Sequence, residues 1–245
     1  TRTAVALDPL HQFQIQPIIP IEVAGIDLSF SNASLFMVLG AVLTVAFMSI
    51  GLSRRALIPG RWQSASESIY EFIANMLREQ TGAKGREFFP FVFTLFMVVL
   101  MGNLLGMIPY SFTYTSHIIV TFTLAIVVFL LVTILGFVKH GLHFLSFFAP
   151  SGIPLPLLFL VVPIELVAYL SRPISLSVRL FANMMAGHMI LKVFAGFAVM
   201  MGIAGVLPLI LITLLTGFEF LIAFIQAYVF AVLTCVYLKD ALELH

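Results

Sequence analysis

The sequence has one cysteine, one tryptophan and very little charge. A lone Cys235 excludes an internal disulfide and cannot build a multi-cysteine zinc or iron–sulfur site, so it reads as packing in an apolar helix. Charged residues make up 9% of the 245 positions, against roughly 25% in soluble domains. The net charge of +1 gives no reason to expect a nucleic-acid partner. No internal repeat, low-complexity segment or phosphate-cradling loop is present. The first 30 residues hold Asp8, Glu22 and Asp27 and lack the basic-then-apolar start of a secretory signal. The missing initiator Met points to processing or trimming.

What is present is apolar. Hydrophobic residues reach 61% and mean hydropathy is +1.13, values suited to a bilayer. A spanning helix needs about 20 apolar residues. Candidates run over 35–52, 88–108 and 118–138, and the stretch 157–238 has the length of two more. Gly202 and the run from Gly205 to Pro208 mark the turn inside that hairpin. "SNAS" supplies Ser and Asn to cap the first helix. Over 62–82, Trp62, Ile69, Phe72, Ile73, Met76 and Leu77 recur at helical spacing, with Glu67, Glu71, Arg78 and Glu79 elsewhere. That pattern predicts an amphipathic helix along the membrane surface. The expected fold is therefore an all-α integral membrane protein, one domain over 1–245, with five membrane helices and one surface helix.

Basic residues orient it. Arg54, Arg55, Arg61, Arg78, Lys84, Arg86, Lys139 and Lys239 fall on one side, which faces the cytoplasm by the positive-inside rule. The segment 1–30, with Arg2, lies outside. His117, His140 and His143 sit near span ends and are expected to face interfacial water.

Polar groups at depth gather on the last two helices. They are Glu165, Arg172, Arg179, Asn183, His188 and Lys192, then Glu219 and Gln226. Such residues usually mark an ion pathway or a paired interior site. Glu165, Arg172, Ser175, Arg179 and Asn183 share one helical face. Arg179 has no acidic residue within thirteen positions on its N-terminal side and cannot lose its charge. In an antiparallel hairpin, facing positions have a nearly constant sum. That register sets Arg179 opposite Gln226, His188 opposite Glu219 and Glu165 opposite Asp240. His188 lies about 13 Å beyond Arg179 along the helix and Glu165 about 21 Å before it. Titratable groups thus flank a permanent cation, a layout suited to two proton access routes with an electrostatic barrier between them.

"SRPISLSVRLFANMMAGH", "FLIAFIQAYVFAVLTCVYL" and "GNLLGMIP" resemble subunit a of the F-type ATP synthase, the stator subunit beside the rotating c-ring. The resemblance covers nearly the whole chain, most specifically 163–188 and 219–238. It implies that Arg179 faces the c-subunit carboxylate and that Gln226 lies opposite. It also implies that Asn183 lines the pathway and that Glu165 stands toward the cytoplasmic half-channel. It implies two last helices strongly tilted around the ring, and as partners the c-subunit ring, b-type peripheral-stalk subunits, other synthase subunits, membrane lipid and protons. No cofactor, metal or catalytic residue is implied. The setting is a bacterial inner membrane, or alternatively a mitochondrial one. In some relatives the acid lies on the fourth span and the histidine on the fifth; here His188 and Glu219 are exchanged.

Competing readings attach to single residues. His188 can be a satisfied core histidine, Glu219 alone can bind lipid or cap a kink, and Lys192 reads as snorkelling to the outer interface. Arg172 either snorkels or lines the inner vestibule. A self-contained transporter or channel is the competing function; it would enclose its site in one chain, often through repeats. A haem-bearing subunit would want facing histidines within spans, and only His188 sits deep.

Overall fold

A computed structural model describes residues 13–20, 22–23, 26–27, 29–53, 59–108, 111–148 and 155–243. Arg2, Arg54 and Arg55 lie outside the described residues. Two short antiparallel pairings precede the helices: β1 (Pro17–Ile19) with β4 (Phe30–Ser31), and β2 (Glu22–Val23) with β3 (Ile26–Asp27). These strands are absent from the sequence reading, because strands of two or three residues leave no periodic signal. Asn32 ties them to the first helix: its side-chain oxygen accepts from the Gln16 N–H and its amide donates to the Gln14 carbonyl, both at 3.1 Å.

Among the described residues six helices follow: α1 (Asn32–Leu52), α2 (Arg61–Thr81), α3 (Phe89–Gly106), α4 (Ile118–His140), α5 (Leu155–Met200) and α6 (Val206–Leu242). Among the described residues, five helical stretches are long and apolar enough to cross a membrane. The Ser31 hydroxyl accepts from the Ser34 N–H at 3.4 Å and caps α1, as "SNAS" predicts. Gly202 begins the α5–α6 turn at φ +56°, a left-handed geometry that only glycine takes without strain.

The amphipathic α2 buries Ile73, Met76 and Leu77 in one core with Val92 and Phe96 of α3, Val128 of α4, Leu180 of α5 and Phe230 of α6. Its acids and Arg78 remain exposed. Two residues expected on the apolar face depart from it. Trp62 is 64% exposed, set edge-on to Phe47, and Phe72 is 39% exposed between the rings of Phe96, Phe224 and Tyr228. An aromatic at the border of a helical stripe is held by ring contacts without being enclosed.

α6 docks through a stripe of small residues, with Ala223, Ala227, Ala231, Cys235 and Ala241 fully or nearly fully buried. Small side chains let helix backbones approach where lipid supplies no hydrophobic drive between helices. At 1.5 Å per residue, α5 is about 69 Å long and α6 about 55 Å, against roughly 30 Å of hydrocarbon. α5 exposes Phe159, Val167, Ile190 and Val199 along its whole length, so a tilted course keeps that surface in lipid.

The helix ends meet at one side. Lys84 bonds Glu243 at 3.1 Å, His140 Nε2 lies 3.1 Å from the Ala241 carbonyl oxygen, and Arg172 reaches Asp240. The α2–α3 turn, the end of α4 and the end of α6 therefore share a membrane face, the basic one. His143 is exposed as expected. His117 is not. It stacks on Phe112 at 5.0 Å with Nε2 buried, and burial lowers its pKa below the ordinary histidine value.

Tight packing of the α3 end against the following turn generates a test. A Cβ at Gly102 would come within 2.5 Å of the Tyr114 ring, whose hydroxyl donates to the Val98 carbonyl at 2.9 Å. Burial pushes that phenol up to about 12, so it stays a donor. Gly102→Ala should destabilise the fold by about 1–3 kcal/mol, read as a lower apparent Tm of the solubilised protein. Gly217→Ala, which meets nothing within 4 Å, should leave it unchanged or raised.

Candidate functional site

The hairpin of α5 and α6 carries three polar contacts between helices. His188 Nδ1 lies 3.5 Å from Glu219 Oε1, the Asn183 amide donates to Gln226 Oε1 at 2.7 Å, and Arg172 Nη1 donates to Asp240 Oδ2 at 2.8 Å. His188, Glu219 and Gln226 are buried, while Asn183 is exposed along its other side. Gly187 permits the closest approach: a Cβ there would stand 2.5 Å from Glu219 Oε1.

The expected register holds for one pair and shifts for two. Gln226 takes Asn183 in place of Arg179, and Asp240 takes Arg172 in place of Glu165. A constant sum treats side chains as equal in reach, and they are not. Asn183 lies four positions from Arg179, about 6 Å along the helix, and Arg172 lies seven from Glu165, about 10 Å, much of which its extended side chain spans. Glu165 is left half-buried and without a partner among the described residues.

Arg172 neither snorkels nor lines an open vestibule. Its guanidinium lies 4.9 Å from the centre of the Tyr237 ring, 5.1 Å from Tyr169 and 5.6 Å from Phe147. Tyr169 shares a 2.7 Å hydrogen bond with Thr133 of α4. The cation thereby joins the end of α4, α5 and α6 through aromatic faces and one carboxylate.

Arg179 is different. It is exposed, and among the described residues it makes no ion pair or hydrogen bond. Ser171, Ser175, Ala182 and Ala186 continue the same exposed face, with Ile174 and Val178 beside them. The cation sits on a smooth, mostly apolar surface facing out of the bundle.

Several residues at this end were not singled out by sequence reasoning. Thr113 Oγ1 lies 3.2 Å from His188 Nε2, and the Phe13 ring stands 6.4 Å from the His188 ring. Asn103 is fully buried on α3 and donates to the Ala223 carbonyl at 3.1 Å. Asn103 had a signal, an amide deep in an apolar span. Thr113 had none, since only the fold brings its loop to α5. Lys192 is half-buried.

Around this cluster, buried polar atoms lack a hydrogen-bond partner: Asn103 Oδ1, Thr115 Oγ1, His117 Nε2, both Glu219 carboxylate oxygens and Gln226 Nε2. Buried polar groups are normally satisfied, so a concentration of exceptions is informative. Among the described residues no group of three or more His, Cys, Asp or Glu could hold a metal ion.

The sequence pattern of the family described as ATP synthase A chain matches residues 34–239. The chain belongs to that family. It is 62% identical over 243 residues to ATP synthase subunit a of Rhizobium etli (strain CIAT 652), covering 96% of this chain and 97% of that protein. The subunit of Agrobacterium fabrum is 61% identical over 246 residues, covering 98% and 99%. That of Parvibaculum lavamentivorans is 58% identical over 244 residues, covering 97% and 94%. As a member of the ATP synthase A chain family, the chain is a multi-pass membrane protein whose helices are those described above.

The Arg172 clamp is testable as an energetic unit. Arg172→Gln and Asp240→Asn should each lower stability by about 2 kcal/mol, the scale of a charge-assisted hydrogen bond. The double variant should lose much less than the sum. Thermal melting of the four proteins measures the coupling, and strict additivity would show that the two side chains do not act together.

Proposed function

We propose that this chain is the proton-translocating stator subunit of an F-type ATP synthase, passing protons to and from carboxylates of a c-subunit ring. The observation that carries the reading is Arg179: a permanent cation on an outward, largely apolar face, with no counter-charge among the described residues. Such a charge is expensive in lipid unless another chain brings an acid to it. The small side chains along the same face admit a neighbouring helix closely.

Protons enter from the outer side by way of Thr113, His188 and Glu219. The unpartnered buried atoms of Asn103, Thr115 and Gln226 extend that route toward Asn183, and water is the natural occupant of a path lined by unsatisfied polar atoms. A c-ring carboxylate takes the proton and, once neutral, can travel through lipid as the ring turns. On the inner side it releases the proton toward Glu165, with Ser175 on the intervening face. Arg179 attracts the ionised carboxylate and keeps the two routes apart. A membrane potential supplies about 2.3 kcal/mol per charge per 100 mV to drive the cycle.

The chain itself catalyses no reaction on nucleotide; its partners are the c-ring, b-type stalk subunits and the rest of the complex. The bacterial sources of its relatives favour a bacterial inner membrane, with the mitochondrial inner membrane as the alternative. A self-contained transporter would be expected to pair Arg179 internally, and that reading is the weaker one.

Two experiments test this function. Arg179→Ala should abolish proton-driven ATP synthesis in the assembled complex, measured in inverted vesicles, and should permit passive proton leak. Normal coupled synthesis in that variant overturns the mechanism. The His188–Glu219 contact gives the second. His188→Glu and Glu219→His should each slow proton transfer at least tenfold, about 1.4 kcal/mol of barrier. The double exchange should recover part of that loss, whereas a double variant as slow as the product of the singles would separate the two residues.

A further inference from the structure

A second charged feature lies away from the hairpin's outward face, where α2 ends and α3 begins. A cavity of about 1010 Å3 opens there, and its lining includes the polar Asn75, Arg78 and Arg86 together with Tyr70, Phe89 and Pro90. It lies at the upper end of the roughly 300–1,000 Å3 usual for small-molecule sites. Arg78 is in the last turn of α2, and Arg86 is in the short 3-10 segment Gly82–Phe88. Among the described residues neither guanidinium has an ion pair or side-chain hydrogen bond. Their neighbour Lys84 is different, being engaged by Glu243. Two unneutralised arginines on one concavity form a site for an anion with several oxygens, because each planar fork can grip two of them.

The rest of the lining says what kind of anion. Tyr70 and Phe89 have ring centroids 4.6 Å apart, and Phe93 stacks on Phe89 at 5.5 Å, one turn further along α3 into the apolar part of the span. A half-exposed aromatic ladder therefore leads from the arginines toward the bilayer interior. A free inorganic anion has no use for that ladder; a headgroup carrying acyl chains does. The cavity also lies on the basic face shared by the α2–α3 turn and the end of α6, the leaflet in which anionic lipids meet basic pockets between membrane helices.

The geometry points to a site for one anionic phospholipid at the α2–α3 junction, its phosphodiester held by Arg78, Arg86 and Asn75 and its acyl chains along Tyr70, Phe89 and Phe93. No step of proton transfer uses these residues, so the site stands or falls separately from the proton path.

The test uses the protein purified with its native partners, stripped of lipid and titrated with phosphatidylglycerol or phosphatidylcholine, with bound lipid counted by native mass spectrometry. Wild-type protein should retain phosphatidylglycerol about tenfold more tightly, a difference of about 1.4 kcal/mol. Arg78→Gln with Arg86→Gln should remove the preference, Arg78→Lys with Arg86→Lys should keep part of it, and Arg61→Gln, outside the cavity, should change nothing. A photoreactive phosphatidylglycerol on unaltered protein should label the segment from Tyr70 to Phe93, so a variant that fails to assemble does not remove the test. The proposal is overturned by labelling elsewhere, by an undiminished preference in the double glutamine variant, or by complete displacement of the lipid by inorganic phosphate. It is equally overturned if wild-type protein binds no phosphatidylglycerol there and the glutamine variant instead loses a stalk subunit, which would make the cavity a protein contact.

Discussion

A guanidinium cannot be discharged by burial, and Arg179 sits where no described side chain neutralises it. The arrangement of α5 and α6 follows from that constraint. Several other polar groups of the hairpin have a neighbour within the chain: Asn183 with Gln226, His188 with Glu219 and Thr113, Arg172 with Asp240. Those pairs are spent within the chain, and the Arg179 cation, unpaired among the described residues, points outward. Had Gln226 turned to Arg179 as the constant-sum register expects, the cation would be drawn into the hairpin seam. Asn183, one turn away, occupies that amide and leaves the guanidinium available to another chain.

Close packing of the two long helices makes these contacts possible. Gly187 lets Glu219 approach α5, and the alanines of α6 bring its backbone against α3, where Asn103 reaches the Ala223 carbonyl. A larger side chain at either place would part the helices and lengthen a contact of 3.5 Å between His188 and Glu219 that is already long. The proposed path depends on small residues as much as on titratable ones.

Much of this was legible before any coordinates. Long apolar runs announce membrane helices because lipid leaves the backbone no other partner than itself. The 3.6-residue recurrence of Ile69, Ile73, Met76 and Leu77 announces the amphipathic α2. His188 and Glu219 could be paired because both side chains are of moderate length and a hairpin sum tolerates them. Arg172 could not be placed the same way: its long stem lets it choose Asp240 and three rings that come together only in the fold. Thr113 and the β-pairings were invisible for the opposite reason, being short features in loops whose positions depend on distant helices.

The two ends of the hairpin are built on different principles, and the difference bears on direction. At the basic face Arg172 is saturated by a carboxylate and three rings, which makes that crossing rigid and removes Asp240 as a free acid. Glu165 is then the acid that remains unpartnered on that side. At the other end Glu219 and its surroundings keep polar atoms without protein partners, so that end is soft, polarisable and able to accept water. In the proposed mechanism, the joint at the basic face and the hydratable cluster at the other end hold Arg179 at a fixed depth between them. A fixed depth is what the proposed barrier would require, since a cation free to slide along the hairpin would connect the two proposed routes.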